Sequence, residues 1–283
     1  IAANGTAQPL GTGSAAITAL RGEAPAVAIT APVTGLLTNQ TPITVSGTVA
    51  GTEPLAVTVN GVAAAVSGGS WTASVPLIEG GNTLTASAAN SFGSASAAVS
   101  VTLDTAPPVV AITAPADGTL TAAGSIGVTG TVSDTTSGLA GVTVNGVEAT
   151  VAGGDFSATV SLSPGTNAIT ATATDVAGNG ATTPAISVVR GEPPSIAITA
   201  PADGLLTNQG SITVTGTTSG TESIAVAVNG VVATTDGSTW STSVPLTEGP
   251  NTLSASATNA LGSNTAAVSV TLGAPARHDH GTD

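Results

Sequence analysis

Residues 26–32 read AVAITAP, residues 109–115 VVAITAP and residues 195–201 SIAITAP. Each copy leads into a TVSG or TVTG-like segment, then a VNGV segment, an aromatic inside a Ser/Thr stretch, and an Asn-x-Leu/Ile run. Pro25, Pro108 and Pro194 mark the copies at periods of 83 and 86 residues. Self-similarity at such a period is the signature of a module array, and arrays space, display or assemble far more often than they catalyse.

Working outward from that phrase, the local pattern is β throughout. In the first copy, residues 43–49, 55–59, 71–77, 83–89 and 97–103 alternate apolar residues with Ser or Thr. A period of two describes strands with one buried and one wet face. Asn60-Gly61, Asn145-Gly146 and Asn229-Gly230 lie between β-branched runs, and Asn-Gly supplies the two positive φ angles of a type I′ hairpin turn. Seven short strands with turns every 8–12 residues predict an immunoglobulin-like sandwich. The expected fold class is all-β, with tandem immunoglobulin-like β-sandwiches in a linear array. Residues 23–103, 104–190 and 191–273 form the three domains, residues 1–22 end a preceding or neighbouring domain, and residues 274–283 are a polar tail.

Composition narrows function. The 283 residues carry 16 carboxylates against three basic side chains, a net charge of −13. So acidic a chain is repelled by phosphate backbones and anionic lipid, which argues against nucleic-acid and membrane-surface partners. No apolar run reaches the roughly 18 residues of a spanning helix. Cysteine is absent, which removes disulfides and thiolate metal sites. With no Cys, Lys or Tyr, and both His in the tail, no catalytic constellation is visible. Ile1 in place of Met points to a processed or excised chain, with no signal segment in view. Array character also changes at Gly273, which stands where Asp104 follows the first copy.

Trp71, Phe156 and Trp240 occupy equivalent places. As exposed rings they would stack on sugars; as one large side chain per copy they plug three lean Ala/Val cores, and their equivalence favours the plug. Phe92 is the other aromatic.

Residues 108–118 (PVVAITAPADG), 142–151 (VTVNGVEATV) and 166–179 (TNAITATATDVAGN) resemble bacterial immunoglobulin-like repeats, found in large secreted adhesins and as glucodextranase domain B-type accessory modules of exported enzymes. The resemblance covers about residues 24–273 and implies a sandwich fold in an extracellular or bacterial cell-surface protein. Such modules serve as spacers in unrelated proteins.

A longer period overlies the shorter one. GLLTNQ recurs at Gly35 and Gly204, Trp71 recurs at Trp240, and Arg21-Gly22-Glu23 at Arg190-Gly191-Glu192, all 169 residues apart. The duplicated unit is therefore a two-domain pair. Ala15, Ala16, Ile17, Thr18, Ala19 and Leu20 resemble a last strand without its own sandwich. Either the segment was cut from a longer array, or the strand completes a neighbouring molecule by β-augmentation. Self-association, head-to-tail or by donor strand, and same-chain neighbours are the expected partners.

Carboxylates supply the best site clue. In an immunoglobulin sandwich the chain entering the domain and the B–C and F–G loops share one pole. In copy two that pole collects Asp104, Asp134, Asp175 and Asn179. Three carboxylates repel unless a hard cation joins them, and Ca²⁺ accepts irregular oxygen sets; in the adhesin-type repeats that this copy resembles, such residues bind Ca²⁺ and stiffen the joint between domains. The competing reading is that Asp and Asn cap turns. Copies one and three carry Arg21, Glu53, Arg190 and Glu222 there instead, which suggests inter-domain Arg–Glu pairs worth under about 1 kcal/mol. The tail residues His278, Asp279 and His280 read as solvated rather than metal-binding. Acceptor patterns at Asn4 and Asn39 and the Ser/Thr-rich faces leave glycans open. The function expected is a non-enzymatic extracellular stalk or filament of stacked modules. The alternatives are an adhesin module binding glycan or host surface, and an accessory spacer of a secreted polysaccharide-degrading enzyme.

Overall fold

The computed structural model describes residues 21–273, and every element among them is a β-strand. The segment 15–20 and the tail histidines lie outside the described residues.

In the first repeat one sheet runs in the order Ala26–Ala31, Ile43–Ala50, Ser70–Val75, Ala65–Ser67. The other runs Leu36–Thr38, Gly93–Leu103, Gly80–Asn90, Ala56–Val59, Val62–Ala63. Pairing is antiparallel except for Leu36–Thr38, which lies parallel to Gly93–Leu103. The third repeat reproduces both sheets, from Ser195–Ala200 to Gly262–Leu272. Each long strand alternates buried and exposed residues, as in Ser70–Val75, because a pleated strand turns successive side chains to opposite faces.

The last two strands of these repeats are longer than the alternation predicts. Gly80–Asn90 and Gly93–Leu103 have 11 residues each and are joined through Ser91 and Phe92 alone. Their outer halves are built from Ala and Ser, whose small contrast in polarity hides the period.

The second repeat departs from this plan. Its first sheet is regular (Val109–Ala114, Ser125–Ser133, Asp155–Ser161, Thr150–Ala152), but the second is split. Thr172 faces Thr182, whereas Ile169 faces Ile186, so the register slips by one residue. Thr183 and Pro184 sit in the slip: Thr183 exchanges hydrogen bonds with Ala171, and Pro184 has no N–H to continue the ladder. The bulge shortens the hairpin and leaves Val176, Ala177, Gly178 and Asn179 as a four-residue loop between Ala171–Asp175 and Gly180–Thr182.

The Asn-Gly turns have positive φ at both residues, 46° and 85° at Asn60 and Gly61, and nearly the same at Asn145–Gly146 and Asn229–Gly230. Each Asn side chain also reaches the neighbouring strand. Asn60 accepts from Thr85 N and donates to Thr83 O, and Asn145 and Asn229 do the same at Thr170/Ala168 and Ser254/Thr252. The turn residue thus pins its hairpin to the sheet.

Three separate cores result. Trp71, Phe156 and Trp240 lie at their centres, each 1–2% exposed, so they are packing residues. Both indoles donate a hydrogen bond, to Thr48 O and Thr217 O. Each ring faces a glycine across the sheet: Gly47 opposite Trp71, Gly130 opposite Phe156, Gly216 opposite Trp240. A Cβ at these glycines would lie 2.2–2.4 Å from the ring and 1.9–2.1 Å from the carbonyl oxygen of Ala28, Ala111 or Ala197. The ring fills the volume that a side chain would need.

Candidate cation site and the loop poles

Asp104 comes directly after the strand Gly93–Leu103. Its N–H donates to Thr38 O at 2.9 Å, its Oδ1 accepts from Ala106 N at 3.1 Å, and the residue is fully buried. Asp134 comes directly after Ser125–Ser133 and caps the ensuing turn: Oδ1 accepts from the backbone N–H groups of Thr136, Ser137 and Gly138 at 3.1, 3.0 and 2.6 Å. Asp175 ends its strand opposite Leu139 and is 2% exposed. Asn179 donates from Nδ2 to Asp104 O at 2.8 Å, so Oδ1 is its side-chain atom able to ligate.

A carboxylate oxygen from each of Asp104, Asp134 and Asp175 lies within 4.8 Å of the others. At that separation two like charges repel by about 3–4 kcal/mol for an effective dielectric of ~20. A divalent cation reverses the sign of that interaction, and an all-oxygen set from irregular loops suits Ca²⁺ in charge and in tolerance of geometry. Turn-capping and ligation are compatible in Asp134, because three N–H groups occupy one oxygen of its carboxylate.

The same pole of repeats one and three is closed by a neutral amide in place of the Asp175 carboxylate. Asn90 ends its strand and donates from Nδ2 to Glu23 O and Thr52 O at 2.8 and 2.9 Å; Asn259 donates to Glu192 O and Thr221 O at 3.2 and 2.7 Å. Thr52 and Thr221 accept in turn from Glu23 N and Glu192 N. The linker glycines lie under the hairpin tips: a Cβ on Gly22 would stand 2.0 Å from the Phe92 ring, and one on Gly191 2.6 Å from Leu261. The sequence pattern does not single out these Asn residues; their identical offset from Glu23 and Glu192 is the signal it offers. Asn259→Ala removes a donor shared by two carbonyls and is expected to cost the third repeat about 1–3 kcal/mol. Asn259→Asp, which cannot donate, should not rescue it. Denaturant unfolding of the two variants checks this, and an Asp variant as stable as the parent would refute the assignment.

Of the residues expected to form Arg–Glu pairs, Glu53 accepts from Leu55 N at 2.8 Å through Oε2 and Arg190 donates from Nη1 to Leu162 O at 3.0 Å. Arg21 is exposed, and Glu222 occupies a loop position with φ 72°.

Three closed sandwiches of this topology define a tandem immunoglobulin-like chain. A model of the family described as glucodextranase, domain B, matches residues 25–105, 108–189 and 194–274, and the chain belongs to that family. A curated relative, Bacillopeptidase F of Bacillus subtilis (strain 168), is 36% identical over 180 residues, covering 62% of this chain and 12% of that protein. The chain therefore spans a small part of that relative's length. Among solved structures, a three-domain titin fragment carrying Glu-to-Ala changes matches with a TM-score of 0.61 and 17% identity, over 89% of this chain and 99% of the other. An I-band fragment of titin matches equally, at 0.61 and 16% over the same shares. Family and fold together fit a structural or accessory module. Among the described residues no helix is long and apolar enough to cross a membrane.

Proposed function

We propose that the chain is a non-catalytic extracellular spacer, a stretch of stalk or filament made of stacked sandwiches. The observation that carries this is the triplicated core: each repeat closes around its own aromatic plug, and the open surfaces on the described residues are lined mainly by Ser, Thr, Ala and Gly. Three independent cores make units that resist extension separately. Electron microscopy of the native material tests it. Regular fibres or uniform rods are the expected result, and irregular globular particles would contradict it.

The relative named as a peptidase, in which this kind of sequence fills 12% of the length, favours a second reading: a spacer accompanying a catalytic part elsewhere in an exported polypeptide. Sequence flanking these repeats in the parent gene separates the two, since a catalytic domain there selects the second.

Calcium belongs to the same proposal. Asp104, Asp134 and Asp175, with Asn179, hold Ca²⁺ and tie together the loops at this pole of the second repeat. With free Ca²⁺ at 100 times its Kd the gain is about 2.7 kcal/mol, a rise of about 10 °C or more in the melting of that repeat alone. Calorimetry with calcium and with chelator reads it. Asp134→Asn should shrink the difference, and identical melting curves would remove the metal.

A further inference from the structure

The duplication leaves one surface used in the first repeat and, among the described residues, exposed in the third. In the first repeat, the end carrying Leu37, Asn39 and Glu79 holds Thr105 and the loop Val176–Asn179. Glu79 accepts from Thr105 N at 3.2 Å and Thr105 Oγ1 at 3.0 Å. Residues Val176–Asn179 belong to the same compact unit as this repeat, with a Cβ on Gly178 standing 3.6 Å from Asn39 Nδ2 and Asn179 bonded to Asp104 O. Leu37 and Asn39 are there half-buried.

Every element of that receiver recurs 169 residues later, as Leu206, Asn208 and Glu248, the first two in a GLLTNQ segment identical to the earlier one. Backbone geometry repeats as well: Leu205–Thr207 pairs parallel with Gly262–Leu272, and Gly273 N donates to Thr207 O as Asp104 N does to Thr38 O. Leu206 is 76% exposed, however, and Asn208 and Glu248 are exposed beside it. A lone exposed leucine would mean little; what marks this surface is that the whole set, which in the first repeat binds a defined loop, stands exposed together here.

We propose that this end of the third repeat is a docking surface for an immunoglobulin-like repeat of the second kind, one entered through Asp-Thr and carrying an Asp-Val-Ala-Gly-Asn loop. Leu206 meets the apolar part of that loop, Asn208 its Gly-Asn backbone, and Glu248 the Thr of the entering segment. This deepens the reading of the chain as stacked modules and rests on it.

The absence of native cysteine makes single-thiol probes clean. In the 283-residue chain, Asn208→Cys should alkylate about tenfold faster than Asn39→Cys, since access governs the rate. Replacing residues 176–179 by Ser-Ser-Gly-Ser should raise the Asn39→Cys rate to that of Asn208→Cys. In a chain with residues 104–190 repeated directly after Leu272, Asn208→Cys should slow to the Asn39→Cys rate, and lose that protection when the added loop is replaced. A slow Asn39→Cys without its loop overturns the proposal, as does a fast Asn208→Cys when the extended chain shows a fourth unfolding step under force. Loss of separate unfolding steps altogether would instead sink the stacked-module reading.

Discussion

Gly216→Ala is expected to unfold the third repeat while the other two keep their melting transitions. The added Cβ would lie 2.0 Å from Ala197 O and 2.2 Å from the Trp240 ring. Neither atom can yield cheaply: the carbonyl belongs to the paired strand Ser195–Ala200, and the indole is locked by its bond to Thr217 O and by the core. Overpacking costs about 1–3 kcal/mol where a side chain can give way; with backbone in the path, about 3 kcal/mol or more is expected. A domain of this size holds only about 4–12 kcal/mol in total. Gly130→Ala should act on the second repeat in the same way, with Ala111 O and Phe156 as the obstacles. Calorimetric scans resolving three transitions check the assignment. A Gly216→Ala chain whose third transition is unmoved would show that the close approach is not real.

Trp240→Ala is the complementary loss. The ring is 2% exposed, and removing it leaves a cavity that flanking valines and alanines cannot fill. The expected cost is about 3–5 kcal/mol, again confined to one repeat. Trp240→Phe should be far milder, because Phe156 fills the same place in the second repeat without an indole N–H. The double variant Gly216→Ala with Trp240→Ala should cost less than the two single costs summed: the ring clash vanishes but the clash with Ala197 O remains. A fully additive cycle would mean that ring and glycine are not packed against each other.

Residue identity makes much of this architecture readable. Asn-Gly pairs between β-branched runs announce hairpins because those residues bear positive φ at low cost, and the observed angles at Asn60, Asn145 and Asn229 agree. One aromatic at the equivalent place in each copy, among Ala and Val, announces the plug. The grouping of Asp104, Asp134 and Asp175 is readable because three loops of such a sandwich share a pole, so residues far apart in sequence are brought together by topology. Other features are hidden for physical reasons. Gly47, Gly130 and Gly216 look like bulge or turn residues in TVSG-like strings, and only the cross-strand register shows that each makes room for a ring. The strands Gly80–Asn90 and Gly249–Asn259 exceed the length their pattern suggests because Ala and Ser alternate with little hydrophobic contrast. The slip at Thr183 and Pro184 depends on which carbonyls the neighbouring strand offers, which no single-strand pattern encodes. The Asn90 and Asn259 clamps are equally hidden, since Asn at a hairpin end is a turn former by default.

The carboxylate pole and the clamp poles are two solutions to one problem. A loop end must satisfy backbone carbonyls and N–H groups that no strand pairs. Repeats one and three use a neutral amide, which works under any ionic condition. The second repeat gathers carboxylates there, and if they hold calcium as proposed, its rigidity would respond to that ion. Alternation of the two along a chain would make every second pole ion-sensitive.

Single-molecule extension of the 283-residue chain in calcium tests the central claim most directly. Three separately cored repeats predict three unfolding steps, each adding roughly 250–300 Å of contour at about 3.3–3.6 Å per residue released. Chelation should lower the force of one step and leave two unchanged. A single cooperative rupture, or extension without steps, would contradict the account of this protein as three independently cored sandwiches.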